Sequence, residues 1–268
     1  MGAAGLHTRV AFGAAGLLTG LAAVAGCAGA QSVEPAAIIA PATSSPVPSP
    51  ACTVPAKFAG QDVERLPVAK KLVALTFDAG ANAAGVPSIL ATLQKQQVKA
   101  TFFLTGTFAT TFPKKSARIG ATYLVGNHTA THPDLTKLSD AKVRQEILGA
   151  EASIRTATGQ DPRRFFRFPY GARDARTIAI ANQLCYVPFR WTVDTLGWEG
   201  TSGGMTAAKV VSRVLAGARP GEIVLMHVGA NPDDGTTLDA AALPTVIAKL
   251  RDRGYGFVTL ARVMSAAP

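Results

Sequence analysis

Apolar residues along this chain alternate between short unbroken runs and stretches spaced three and four apart. Leu72 to Phe77 is an apolar run that predicts a buried strand, and it closes on Asp78-Ala79-Gly80. Val86 to Gln96 follows at helical spacing, Ala100 to Leu104 is a Phe-rich strand, and Ala121 to Gly126 is a weaker one. The clearest helix starts on Ser139, a good N-cap, sets Val143, Ile147, Ala150 and Ile154 on one face, and stops at Gly159. Then come strand Phe165 to Phe168, helix Ala175 to Leu184, strand Val187 to Val193 and helix Thr206 to Ala216. Strand Ile223 to Met226, helix Ala240 to Asp252 and strand Phe257 to Leu260 complete the series. This βα alternation predicts an α/β fold with a parallel sheet or a barrel. In a barrel, functional residues gather at the C-terminal ends of strands.

The pattern fails at the N-terminus. Val10 to Gly26 is an uncharged run of Val, Ala, Phe, Leu, Gly and Thr after a single charge, Arg9, and it leads into Val24-Ala25-Gly26-Cys27. That is the form of a secretory signal, and Val-Ala-Gly-Cys resembles the bacterial lipobox, at which the cysteine is lipidated. Residues 1–26 are therefore expected to be a lipoprotein signal peptide, with Cys27 the lipidation site; an ordinary signal or a short anchor is the alternative. The run is shorter than the ~20 residues of a spanning helix. Residues 27–55, with prolines at 35, 41, 46, 48, 50 and 55, predict an extended tether that builds no core. The domain is expected over 56–264, exported and held by its lipid to the outer face of the cytoplasmic membrane, in the cell envelope.

At 48% hydrophobic residues, the chain has ample material for a core. Its formal net charge of +10, from which the signal removes only Arg9, draws it to anionic envelope surfaces. The charges are scattered without a basic-aromatic stripe, so no nucleic-acid partner is expected, and the chain is taken as a monomer. Of three cysteines, two remain once Cys27 is lipidated, and Cys52 and Cys185 form a possible disulfide in an oxidising compartment.

Several polar residues stand where the apolar runs end. His128 and His132 lie four apart, within reach of one metal ion on a helical turn, or are two satisfied surface histidines. His227 ends the run Glu222-Ile-Val-Leu-Met-His227, as a functional group or a hydrogen-bonded rim residue. Arg167, embedded in Phe165-Phe-Arg-Phe168, needs a buried anion, for which Asp78 is the natural candidate, unless it points outward. Asp194 is an acid suited to raising a histidine pKa. Trp198 suits a sugar face at the rim, or a place in the core.

Thr76-Phe-Asp-Ala-Gly80, His128 to His132, Arg167-Phe-Pro-Tyr-Gly171, Asp194 to Trp198 and Leu225-Met-His227 resemble, in order, the five motifs of the polysaccharide deacetylase family, the NodB-homology domain of carbohydrate esterase family four. The similarity covers roughly Leu72 to Leu260. It implies a distorted (β/α) barrel that removes acetyl groups from N-acetylated envelope glycan such as peptidoglycan or chitin-like oligosaccharide. It also implies a divalent metal, zinc first among them. Carried over by position, Asp78 is the general base, Arg167 the residue that holds it, and His128 and His132 are metal ligands. Tyr170 offers a backbone N–H to the oxyanion, Leu225 borders the acetyl pocket, and His227 is the general acid.

Two positions depart from the pattern. Ala79 stands where the family has its third metal ligand, an aspartate, leaving Asp78, another side chain or water to complete the site. Gly197 stands where an aspartate commonly tunes the general acid, and Asp194 is the expected replacement. These gaps keep open a retired, glycan-binding member of the fold, and an O-acetyl (acetylxylan-type) esterase shares the same site.

Overall fold

The structure, a computed structural model, describes residues 53–265, so the signal, Cys27 and Cys52 lie outside the described residues. In chain order the elements are β1 Leu72–Ala79, α1 Val86–Lys95, β2 Ala100–Leu104, α2 Gly106–Thr111, α3 Pro113–Gly120, β3 Leu124–Asn127, α4 Asp140–Thr158 and β4 Arg164–Phe166. There follow α5 Ala175–Gln183, β5 Tyr186–Pro188, β6 Val193–Asp194, α6 Ala207–Gly217, β7 Ile223–His227, α7 Leu238–Asp252, β8 Gly256–Phe257 and α8 Ala261–Ser265. All strand pairs are parallel, in the order β5-β4-β3-β2-β1-β7-β6, with β8 beside the start of β1. The result is a curled half-barrel with β1 at its centre, agreeing with the distorted barrel expected from the sequence.

Parallel strands are covered on both faces, which is why β1 reads as a continuous apolar run. Val73, Leu75, Phe77 and Ala79 pack in one cluster with α1 and α7 residues such as Ile89, Leu93, Leu243 and Val246. The opposite, inward face carries Ala74, Phe103, Phe165, Phe189 and Ile223 in a second cluster. Side chains two apart on a strand share a face. Thr76 and Asp78 therefore continue the inward row begun by Ala74, and Leu225 and His227 continue that of Ile223.

The predicted strand Val187 to Val193 is two strands on opposite edges, β5 beside β4 and β6 beside β7. Between them the Arg190 N–H donates to the Val63 carbonyl at 2.9 Å, and the Val63 N–H donates to that of Pro188. Residues 63–65 thus lie across the open seam, bridging Phe189 on one side and Glu222 on the other. The strand expected at Ala121 starts at Leu124, because Thr122 and Tyr123 still close the end of α3 on the Ile119 carbonyl. Two short helices, α2 and α3, were not predicted. Thr105 Oγ1 caps α2 by accepting from the Phe108 N–H, and Pro113 opens α3.

Candidate active site

Adjacent parallel strands place their C-terminal ends together, and the register decides which side chains meet. Asp78 is paired with His227 on β7 and with Phe103 on β2, and Phe103 is paired with Gly126, two residues before His128. A Cβ at Gly126 would stand 2.6 Å from the Phe103 ring, so glycine there lets Phe103 lie flat beneath the site. Arg167 follows β4 and crosses that ring, its guanidinium carbon 4.3 Å from the centroid.

Arg167, 1% exposed, is fixed at every nitrogen. Nη1 donates to Asp78 Oδ1 at 2.7 Å, Nε to the Phe189 carbonyl and Nη2 to that of Arg190, each at 3.0 Å. The buried anion expected from the sequence is therefore Asp78, and the outward alternative for Arg167 is excluded. Burial pushes the Asp78 carboxyl up, but Arg167, then His128 and His227, outweigh it and hold the pKa below the usual value. Asp78 is ionised at neutral pH.

His128 is also buried. Its Nδ1 lies 2.8 Å from the Arg167 carbonyl, which accepts only, so Nδ1 carries the proton and Nε2 presents a lone pair. That lone pair faces Asp78 Oδ2 at 3.3 Å. Burial lowers the His128 pKa, so two acceptors confront one another there, an arrangement that suits a cation between them. The His132 ring stands 4.7 Å from that of His128, and burial first, then His128, lowers its pKa to about 4, leaving it neutral. These donors fit an ion held by imidazoles beside a carboxylate. Among the described residues, however, no group of three His, Cys, Asp or Glu side chains is arranged to hold a metal. Ala79 contributes only a methyl group to the apolar cluster behind β1.

Tyr170 has φ of 59°, a left-handed conformation unusual for a residue with a side chain. The residue is 71% exposed and its ring centroid lies 4.6 Å from that of His132, so this turn shapes the mouth of the site. Trp198 is 49% exposed with its ring 6.5 Å from that of His227, which settles its position at the rim. Asn231 fixes it there, donating from Nδ2 to the Trp198 carbonyl at 2.9 Å while Oδ1 accepts from the Asp233 and Asp234 N–H groups. Leu225 is buried on the inward face.

The carboxylate against His227 is Asp239, in the first turn of α7, and sequence reasoning missed it. Its Oδ2 accepts from the His227 backbone N–H at 2.8 Å and lies 3.8 Å from His227 Nδ1. Asp194, expected in this role, instead accepts from the Leu196 N–H and makes no ion pair with His227. Burial alone would lower the His227 pKa, but Asp239, Asp78 and at longer range Asp194 raise it above the usual value.

A family model described as polysaccharide deacetylase matches residues 65–189. The peptidoglycan-N-acetylglucosamine deacetylase of Bacillus cereus is 35% identical over 195 residues, spanning 72% of this chain and 68% of that one. The chain belongs to the polysaccharide deacetylase family. Among solved members, the Bc1960 peptidoglycan N-acetylglucosamine deacetylase matches with a TM-score of 0.70 at 32% identity, over 79% of this chain and 95% of that one. BA3943 of Bacillus anthracis, described as a CE4 family pseudoenzyme, gives 0.69 at 31% identity, over 77% and 69%. The family thus holds both active and inactive members close to this chain.

Proposed function

We propose that this protein hydrolyses acetyl groups from N-acetylated cell-envelope glycan. The observation that carries the reading is the pair Asp78 and His227, an ionised carboxylate and a histidine of raised pKa, side by side on neighbouring strands. One suits proton acceptance and the other proton donation at the same pH.

In this reading Asp78 takes a proton from the attacking water as the water oxygen bonds to the acetyl carbon. Arg167 keeps that carboxylate charged and aimed. The Tyr170 N–H donates to the oxyanion, and Leu225 lines the acetyl methyl pocket. As the C–N bond breaks, protonated His227 gives its proton to the leaving nitrogen, releasing acetate and an amino sugar. Trp198 stacks on the sugar at the rim. A divalent ion, zinc first, would be held by His128 and His132 with Asp78 Oδ2 or solvent beside them, and when bound it supplies positive charge to the acetyl oxygen and water.

Acetate release from N-acetylated peptidoglycan or chitin oligosaccharide, abolished by chelator and by Asp78→Asn, is the expected result. No release from either with zinc supplied would overturn the reading. Ala79 and the likeness to a pseudoenzyme favour a second reading, a glycan-binding member without turnover, for which binding without acetate release is the signature. Release from acetylxylan alone would mark an O-acetyl esterase.

The envelope location accords with relatives named for peptidoglycan, and no described helix is long and apolar enough to cross a membrane. Lipidation at Cys27 would supply the anchor. Cys185 is disulfide-bonded, and with Cys27 acylated its partner would be Cys52. A thiol count of zero on denatured mature protein would support the pair, and two free thiols would end it.

A further inference from the structure

The space that a side chain at Gly197 would occupy is already filled. A Cβ built there would lie 2.4 Å from Asp239 Oδ1, 2.6 Å from its Cγ and 2.8 Å from its Oδ2. Gly197 lacks the left-handed φ that calls for glycine elsewhere in the chain, so room is what the position requires. The carboxylate that takes this room comes from α7, and it is 2% exposed.

Asp239 is fixed from both ends. Oδ1 accepts from Thr195 Oγ1 at 2.7 Å, and Oδ2 accepts from the His227 backbone N–H at 2.8 Å. Its place in the first turn of α7 adds the favourable end of the helix dipole. The one polar atom of His227 that is buried without a hydrogen bond is Nδ1, and Asp239 Oδ2 is the carboxylate oxygen that faces it, at 3.8 Å.

We infer that Asp239 is the positioning residue for His227. It holds the Nδ1–H tautomer and directs Nε2 to the substrate, and Gly197 is the opening that admits it. The acid missing from the fourth motif has been moved to another helix, and the function it served is kept. The inference rests on the deacetylase reading for its kinetic test but not for its spectroscopic one.

In the full chain, Asp239→Ala should lower kcat for acetate release by about 10²-fold with KM little changed, the scale of a disabled proton donor. Gly197→Asp alone should be inactive, since two carboxylates then compete for one space. The double variant Gly197→Asp with Asp239→Ala should regain at least about tenfold over Asp239→Ala, because the acid returns from the other side. A merely structural Asp239 predicts no such rescue. Equal kcat in wild type and Asp239→Ala, or a folded double variant no better than the single, would overturn the inference. The imidazole nitrogen-15 shifts of His227 give the second measurement, which needs no turnover. At a pH above its pKa, where the ring is neutral, wild type should show Nδ1–H and Asp239→Ala a mixture or Nε2–H, and an unchanged tautomer would overturn the inference even in an inactive protein. Absence of acetate release with the expected tautomer change would instead defeat only the deacetylase reading.

Discussion

Arg167 holds one oxygen of Asp78 at 2.7 Å and leaves the other turned toward His128 at 3.3 Å. Both partners are almost wholly buried, so neither charge has water to fall back on. Removing one leaves the other unpaired, at a cost of about 3–5 kcal/mol. Arg167→Met should therefore lower the unfolding free energy by about that amount in urea titration and abolish turnover. Arg167→Lys should be intermediate in stability, because a point charge replaces at most one of the three bonds the guanidinium makes.

Ala79 tests the metal site. Ala79→Asp puts a carboxylate at a fully buried position, so the metal-free variant should melt below wild type. Zinc should then raise its Tm more than it raises that of wild type, since binding to the folded state stabilises by mass action. Equal zinc-induced shifts in the two proteins would show that a carboxylate at this position adds no donor to the site.

Glu222, far from the chemistry at the start of β7, is fully buried with no hydrogen bond to either carboxylate oxygen. Burial pushes its pKa from 4.5 to about 8, against weaker pulls from Arg219 and Arg253. The folded chain keeps a proton that the unfolded chain releases, so this group's contribution is fully present below pH 4.5 and is lost as pH rises to about 8. The slope across that window is at most about 1.4 kcal/mol per pH unit. Glu222→Gln should flatten it, and chemical denaturation at pH 5 and pH 8 measures the difference.

Trp198 owes its place to Asn231. Trp198→Ala and Asn231→Ala should each raise KM for an oligosaccharide by about tenfold, near 1.4 kcal/mol, with kcat little affected. Loss of kcat with constant KM would show that this rim serves the reacting atoms instead of the sugar face.

The sequence showed the chemistry wherever a polar residue closes an apolar run, as at Asp78 and His227, because a buried strand end leaves few other uses for a charge. It also paired Arg167 with Asp78, since a charge inside Phe-Phe-Arg-Phe must find an anion. Asp239 gave no such sign. An acid in the first turn of a helix is common for local reasons, and nothing along the chain shows that this turn packs against Gly197. The division of β5 from β6 was hidden for a related reason. Val187 to Val193 is equally β-like whether its two halves share one edge or sit on opposite edges. The short helices α2 and α3 were legible in principle, from Thr105 and Pro113.

The strip ahead of β1 joins both sides of the open seam, through Val63 to Pro188 and Arg190 and through Leu66 to Gly221. Asp62 pairs with Arg173 at 2.8 Å and Glu64 with Arg190 at 2.6 Å. The Arg190 carbonyl in turn accepts from Arg167. Residues 62–66 are thus a clasp on the half-barrel, one residue removed from a bond that aims Asp78. A change that loosens this clasp reaches Asp78 through Arg190 and Arg167, so the chain ahead of β1 and the site share a mechanical part.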